Sequence, residues 1–225
     1  MKVMVDVDGV ILDIHSHIEK TVREFADRSY SSKNILTYDL NRSLYEKLQY
    51  LMDKGLLTQA GVKHILGTHY ISSDIRDMIY GEFTNPSVFK YSKLDDNCIG
   101  IIKDLMLNGV EIVFHTVSLS AEVKNIKKER IKTALEGCEG VYKFCDCDSA
   151  CDKCLKDYDY VVEDCLETLV DFSKKDSDVK LCMVSKSYNS PLIYAEHEDL
   201  FKDDKIRIYA DAQSALVDIL CREFG

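Results

Sequence analysis

Two aspartates on alternate positions, Asp6 and Asp8, close the first apolar run of the chain, Lys2-Val-Met-Val-Asp6-Val-Asp8-Gly9-Val10. Apolar and β-branched residues dominate the start of that run, which predicts a buried strand. A period of two sends both carboxylates to the same side. Carboxylates crowded at one site repel unless a cation or a shared proton compensates. The pair is therefore either a metal site or a proton-sharing site, and the structural alternative is an ordinary Asp-Gly turn. Matching residue types recur at the ends of other predicted strands: Thr116 after Val110–His115, and Glu163-Asp164 after Tyr158–Val162. Lys153 lies a short connection upstream of the acidic pair. An open parallel sheet gathers such strand ends on one edge, where ligands bind. Carboxylates, a hydroxyl and a lysine meeting there form a coherent set for phosphoryl transfer. Oxygen ligands suit a hard cation such as Mg²⁺. The cation and the lysine can hold phosphate oxygens while one carboxylate attacks phosphorus and another passes a proton.

The elements that must position these residues follow from periodicity. After Asp13 the apolar period changes from two to about 3.6. Ile14, Ile18, Val22, Phe25 and Ala26 share one helical face, and Ser43–Lys54 repeats the pattern with Leu44, Leu48, Leu51 and Met52 before Gly55 ends it. Shorter helical pieces span Gln59–Leu66 and Ser72–Tyr80, and Asn85-Pro86 marks a break. No comparable strand signal lies between residues 14 and 93. From Asp95 onward strands and helices alternate. Ile99, Ile102, Leu105 and Met106 make a helical face capped by Gly109; a charged helix spans Ala121–Glu136. Strands are expected at Val110–His115, Val141–Phe144, Tyr158–Val162, Val179–Ser185 and Ile206–Ala210, and Asp211 caps a last helix carrying Ala215, Leu216, Ile219 and Leu220. Such alternation predicts an α/β protein: a Rossmann-like three-layer core with a mostly parallel sheet. Residues 1–13 and 94–225 form the expected core, and residues 14–93 an inserted helical cap.

The 225 residues suit one domain or two and can bury a core without staples. A formal net charge of -10 repels a phosphate backbone, so polymeric nucleic acid is not an expected partner. A small anionic substrate stays compatible, because a metal and local cations reverse the sign in one pocket. No stretch approaches the ~20 apolar residues of a membrane span, so no membrane partner is expected. The start does not resemble a signal peptide, since its apolar run is short and broken by Asp6 and Asp8. Nine cysteines, an odd count, in a chain of this length suit a reducing compartment, and a cytoplasmic location is expected. Cys98, Cys165, Cys182 and Cys221 fall in apolar patterns as small buried hydrophobes.

Cys145-x-Cys147-x3-Cys151-x2-Cys154 brings four thiols close in sequence, enough to surround one structural Zn²⁺ and pin Lys153 between two ligands. The alternative is a polar loop of free thiols that also carries Asp146, Asp148 and Asp152. His15 and His17 begin a helix, where positions two apart diverge, which favours a solvated or cap-lining role over ligation. His115 is expected to face the core or a neighbouring strand. Lys124, Lys127, Lys128 and Arg130 read as the wet face of a helix; the alternative is that one of them reaches a substrate phosphate, since this helix starts near Thr116. Lys143 competes with Lys153 as the phosphate lysine; the spacing to Glu163 favours Lys153.

Asp6-Val-Asp8-Gly9-Val10, the strand ending in Thr116, a lysine, and the strand ending in Glu163-Asp164 resemble the four motifs of the haloacid-dehalogenase-like phosphohydrolases. Lys153, Asp159 and Glu163-Asp164, read as Lys-x5-Asp-x3-Glu-Asp, are similar to the third and fourth motifs of the 5'(3')-deoxyribonucleotidases. That family also places a helical cap between its first two motifs, and its C-terminal end resembles Arg207-Ile-Tyr-Ala-Asp211. The resemblance spans nearly the whole chain. It implies Asp6 as nucleophile, and Asp8 as general acid for the leaving oxygen and then as the base that activates water. It implies Mg²⁺ held by the Asp6 carboxylate, the Asp8 backbone carbonyl and Asp164, with Glu163 alongside. Thr116, the Val117 backbone N–H and Lys153 would hold the phosphate. The implied substrate is a nucleoside 5'-monophosphate, in its deoxy form. Departures are Val117 where a small polar residue is usual, Glu163 where two aspartates are common, and the absence of tryptophan. Tyr38, Tyr45, Tyr70 and Phe83 are candidates to stack on a base instead. The alternatives are a phosphatase for another small phosphoester and a non-catalytic, metal-stabilised binding module. Oligomeric state is open, a homodimer included.

Overall fold

In chain order the elements are β1 (Lys2–Asp6), β2 (Leu12–Asp13), α1 (Ile14–Phe25), α2 (Asn41–Asp53), α3 (Gln59–His69), α4 (Ser73–Glu82), α5 (Pro86–Tyr91) and β3 (Lys93–Leu94). There follow α6 (Asp96–Leu107), β4 (Glu111–Val117), α7 (Ala121–Ala134), β5 (Tyr142–Cys147), β6 (Tyr160–Glu163), α8 (Leu166–Lys175), β7 (Lys180–Val184), α9 (Glu198–Lys202), β8 (Ile206–Tyr209) and α10 (Ala212–Phe224). Short 3₁₀ turns lie at Ala150–Leu155 and Ser187–Asn189. This computed structural model describes residues 1–31, 33, 41–69, 71–147, 149–155, 157–175, 178–189 and 197–225, with backbone alone at 41–43, 69, 150, 151, 155 and 198.

The main sheet has the order β5-β4-β1-β6-β7-β8 and every pairing in it is parallel. β1 is central: Val5 lies opposite Phe114 of β4 on one side and Val162 of β6 on the other. Strands covered on both faces need apolar residues at successive positions, and Val3, Met4 and Val5 are all fully buried. Their parity splits the core into two layers. Val3 and Val5 pack with Phe114, Val162 and the apolar stripes of α6, α7 and α10, while Met4 packs with Val161, Met183 and the Leu166, Leu169 and Phe172 stripe of α8. This is the expected α/β Rossmann-like arrangement, with helices on both faces of a parallel sheet.

Antiparallel strands β2 and β3 pinch together the two ends of the segment between them, Leu12 opposite Leu94 and Asp13 opposite Lys93. The Asp95 N–H donates to Ile11 O at 2.9 Å beside this ribbon. Asp13 then caps α1, accepting from Ser16 N at 3.0 Å. Ile14, Ile18 and Val22 of α1, Ile79 of α4 and Phe89 of α5 join the same apolar cluster as the α6 and α7 face of the sheet.

Several elements depart from expectation. Asn85-Pro86 starts a helix rather than only breaking one: Asn85 Oδ1 accepts from Ser87 N at 3.0 Å, and proline is tolerated in a first helical turn. α8 goes beyond the expected elements. β5 runs on to Cys147 at the sheet edge. Cys98, Cys165 and Cys182 are buried as expected, but Cys221 is exposed on α10 because it falls off the Ala215, Leu216 and Ile219 stripe. Among the described residues no helix is long and apolar enough to cross a membrane.

Candidate active site

β4, β1 and β6 are neighbours, so their C-terminal ends bring Thr116, Asp6 and Glu163-Asp164 into one crevice. The chain leaves β1 toward β4 and β5 on one side and toward β6, β7 and β8 on the other, and ligand crevices form at such a reversal. Lys153 enters from the turn Ala150–Leu155. Its Nζ lies 2.5 Å from Asp6 Oδ1 and 2.7 Å from Glu163 Oε2, with all three side chains buried. Lys143 instead pairs with Glu111 at 2.6 Å on the exposed side of the sheet. Both oxygens of Glu163 are engaged, because Oε1 accepts from the backbone N–H groups of Asp164 and Cys165 at 3.1 and 3.2 Å. Glu163 thus holds Lys153 and the turn after β6.

Asp164 is fixed from the turn Ser187–Asn189. The Tyr188 hydroxyl donates to Asp164 Oδ2, and Asn189 Nδ2 donates to the carbonyls of Asp164 and Val184 at 2.7 Å each. Gly9 lies against this pair with φ +76°; a Cβ there would overlap Asp164 Oδ2 and reach within 3.3 Å of Tyr188 Oη. Only glycine meets both demands.

β1 ends at Asp6, so Asp8 lies beyond the strand rather than on it. Asp8 Oδ2 accepts from Thr116 Oγ1 at 3.0 Å and from Lys127 Nζ at 2.5 Å. Lys127 also donates to Thr116 Oγ1 and to Val117 O, both at 2.9 Å. This corrects the expected wet face of α7: Lys127 is 1 % exposed and lies within the site. The sequence did carry a signal, since Lys127 is four residues from Val123 and four from Ile131, the buried stripe of α7. Tyr188 and Asn189 carried none, being remote in sequence and in no motif.

The crevice holds four carboxylates, Asp6, Asp8, Glu163 and Asp164, against two ammonium groups, Lys127 and Lys153. It is two charges short of neutral, with Asp6, Glu163 and Asp164 buried and Asp8 half-buried. Burial, then the Glu163 charge, push the Asp6 carboxyl up to about 8 despite Lys153 beside it. Burial likewise raises Glu163 to about 7 against the pull of Lys153, and burial with the Asp6 charge raises Asp164 to about 6. Asp6, Glu163 and Asp164 each offer an oxygen, all within 4.8 Å of one another, and Asp8 Oδ1 is buried without a partner. An all-oxygen donor set with this charge deficit fits a hard divalent cation.

Among the described residues that trio is the one group suited to a metal. The expected zinc site gains no support: Cys147 Sγ lies 3.3 Å from His115 Nδ1, Cys154 Sγ donates to Thr168 O at 3.7 Å, and Cys145 packs against the apolar cluster under α8. The side chain of Cys151 lies outside the described residues. His115 is buried as expected, with Tyr158 Oη 2.6 Å from its Nε2.

Above the carboxylates opens a cavity of about 340 Å³. Its apolar wall is Ile14, Ile79, Phe83, Phe89, Val117 and Leu119, with Tyr80 beside them. His15 also lines it; Tyr188 Oη lies 3.0 Å from its Nε2, and burial lowers its imidazole to about 4, so it is neutral. Of the aromatic candidates Phe83 lines the cavity and Tyr45, half-exposed on α2, does not; Tyr38 and Tyr70 lie outside the described residues.

No protein-family profile matches the chain, and no curated protein sequence does. Similar solved structures exist. A protein assigned as a beta-phosphoglucomutase from Thermotoga maritima aligns over 99% of both chains with a TM-score of 0.53 and 12% identity. A phosphonoacetaldehyde hydrolase like protein from Oleispira antarctica aligns over 98% of this chain and 92% of its own, with a TM-score of 0.49 and 9% identity. The D,D-heptose 1,7-bisphosphate phosphatase from Burkholderia thailandensis aligns over 97% of both chains, with a TM-score of 0.47 and 11% identity. The first of these shows a shared fold.

Proposed function

We propose that the chain is a Mg²⁺-dependent phosphomonoester hydrolase working through an aspartyl-phosphate on Asp6. The observation that carries this reading is the crevice itself: three buried carboxylates and the half-buried Asp8 against two lysines, at the strand ends where a parallel sheet binds ligands. A divalent cation would be held by Asp6 and Asp164, with the Asp8 carbonyl added by resemblance, and it would neutralise charge on the phosphoryl oxygens. Lys153, already at Asp6, would hold a phosphate oxygen and screen the nucleophile from the dianion it attacks. The Val117 backbone would sit beside the phosphate. The Thr116 hydroxyl is turned toward Asp8, so its part is to hold that carboxylate. Asp8 would give a proton to the leaving oxygen and take one from the water that clears the intermediate.

For the substrate we infer a nucleoside 5'-monophosphate. The apolar wall with Phe83, Phe89 and Tyr80 suits a flat apolar group better than a polyhydroxylated sugar. Residues 14–93 would act as the cap that supplies part of this wall. A non-catalytic module would have no use for a complete set of acids, hydroxyl and lysine. The test is a panel of deoxynucleoside and nucleoside monophosphates and sugar phosphates, with Mg²⁺ and with chelator. Turnover of the nucleotides, lost in chelator and in Asp6→Asn, is expected. Activity confined to sugar phosphates would overturn the nucleotide assignment alone, and no turnover across the panel would overturn the enzyme reading.

A further inference from the structure

His15 lines the cavity from the first turn of α1, and its Nε2 lies 3.0 Å from Tyr188 Oη. The Tyr188 hydroxyl has one proton and donates it to Asp164 Oδ2. Toward His15 that oxygen can therefore only accept, so the ring proton sits on Nε2. Nδ1 has no hydrogen-bond partner among the described residues. It is not one of the sealed, unpaired polar atoms such as Asp8 Oδ1 either, so it keeps accessible surface. A second ring proton would find no acceptor there, and burial lowers the imidazole to about 4. The ring is neutral, and Nδ1 is a bare lone-pair acceptor in the cavity wall. We propose that His15 is a specificity-determining residue: its Nδ1 accepts a hydrogen bond from the 3'-hydroxyl of a nucleoside 5'-monophosphate. This rests on the nucleotidase reading above.

The layout of the cavity places that contact at the sugar. Asp6, Asp164 and Lys153 form the polar floor, and Phe83, Phe89 and Tyr80 belong to the apolar wall where a base would lie. His15 is joined to the floor through a single side chain, Tyr188, so it stands beside the group that follows the phosphate. A phosphate oxygen at Nδ1 would set acceptor against acceptor, and the pentose ring oxygen also only accepts. The 3'-hydroxyl is a donor, and a nucleoside 5'-monophosphate carries it whether the sugar is ribose or deoxyribose. The imidazole is held ready for it. Asp13 caps α1 by accepting from Ser16 N at 3.0 Å, Ile14 and Ile18 are buried beneath the helix, and the Tyr188 ring centroid lies 5.2 Å from that of His15. A fixed acceptor costs little ordering when the hydroxyl arrives, and a substrate lacking that hydroxyl leaves it unpaired.

The test takes the deoxynucleoside 5'-monophosphate that the panel above turns over best and compares it with its 3'-deoxy and 3'-fluoro analogues, all with Mg²⁺. The fluoro analogue keeps a polar substituent but has no proton to give. The wild type is expected to lose about 10–100-fold in kcat/KM on both analogues. His15→Leu should treat the three substrates alike to within about 3-fold, whatever it loses on all of them through Tyr188 and Asp164. The ratio is the readout, because a purely structural part for His15 would lower the three rates together. Tyr188→Phe releases the ring proton from Nε2 and should narrow the ratio by about 3-fold or more, which decides the matter if His15→Leu does not fold. Equal wild-type rates on the three nucleotides, a fluoro analogue as good as its parent, or a ratio unchanged in the variants overturns the assignment and leaves the nucleotidase reading standing. A wild-type protein that turns over no nucleotide overturns that reading, and the assignment falls with it.

Discussion

Replacing Gly9 by alanine tests the tightest packing in the site. Gly9 has φ +76°, which a Cβ makes unfavourable by about 1–2 kcal/mol. The new methyl group would also overlap Asp164 Oδ2. That carboxylate cannot simply retreat: Asn189 holds its backbone carbonyl at 2.7 Å and the Tyr188 hydroxyl holds Oδ2. Moving it gives up a hydrogen bond to a charged group, worth about 1.5–3 kcal/mol. The expected loss is roughly 2–5 kcal/mol, which for a chain of this size lowers Tm by roughly 5–20 °C. The chain has no tryptophan, so circular dichroism is the suitable probe of unfolding. The same displacement should raise the Mg²⁺ concentration needed for half-maximal turnover. Tyr188→Phe shares the contact, so the Gly9→Ala and Tyr188→Phe losses should be less than additive. A Gly9→Ala protein that melts with the wild type and needs no more Mg²⁺ would refute the packing of Asp164 against the turn.

Lys153→Met leaves Asp6 and Glu163 buried without their cation and should cost about 3–5 kcal/mol in urea unfolding, with turnover abolished. Lys143→Met, which touches only exposed Glu111, should shift stability by less than about 0.5 kcal/mol and leave turnover intact; the reverse pattern would place the phosphate lysine wrongly. Tyr188→Phe removes the partner of a proposed metal ligand and should weaken divalent binding, read by calorimetry, by about 10–100-fold. His15 falls from 6.5 to about 4 on folding, so the unfolded chain binds its proton first as pH drops. Its share of stability is present above 6.5 and lost as pH falls toward 4, and His15→Gln should lose less stability than the wild type between pH 7 and pH 5.

The sheet was legible because buried parallel strands are short apolar runs ended by polar residues, and β1, β4, β6 and β7 have that form. The convergence of Asp6, Thr116 and Glu163-Asp164 followed from the same sheet, since parallel neighbours share an edge, whereas Lys153, on the turn Ala150–Leu155, was read from its spacing to Glu163. Lys127 was missed because a lysine on a charged helix reads as solvated, although its place in the Val123–Ile131 stripe argued otherwise. Tyr188 and Asn189 were not legible: what they do depends on a turn after β7 lying beside the end of β6, which is tertiary information. The short helix after Asn85 hid behind a proline that serves equally to stop a helix or to start one.

We propose above all that strand ends far apart in sequence build one phosphoryl-transfer centre around Asp6. Acid-quenching the protein within its first turnovers, with Mg²⁺ and a nucleoside monophosphate, followed by peptide mass analysis, addresses it directly. One phosphoryl group is expected on the peptide that contains Asp6, absent in Asp6→Asn and short-lived in the wild type. Steady turnover with that peptide never modified would contradict it.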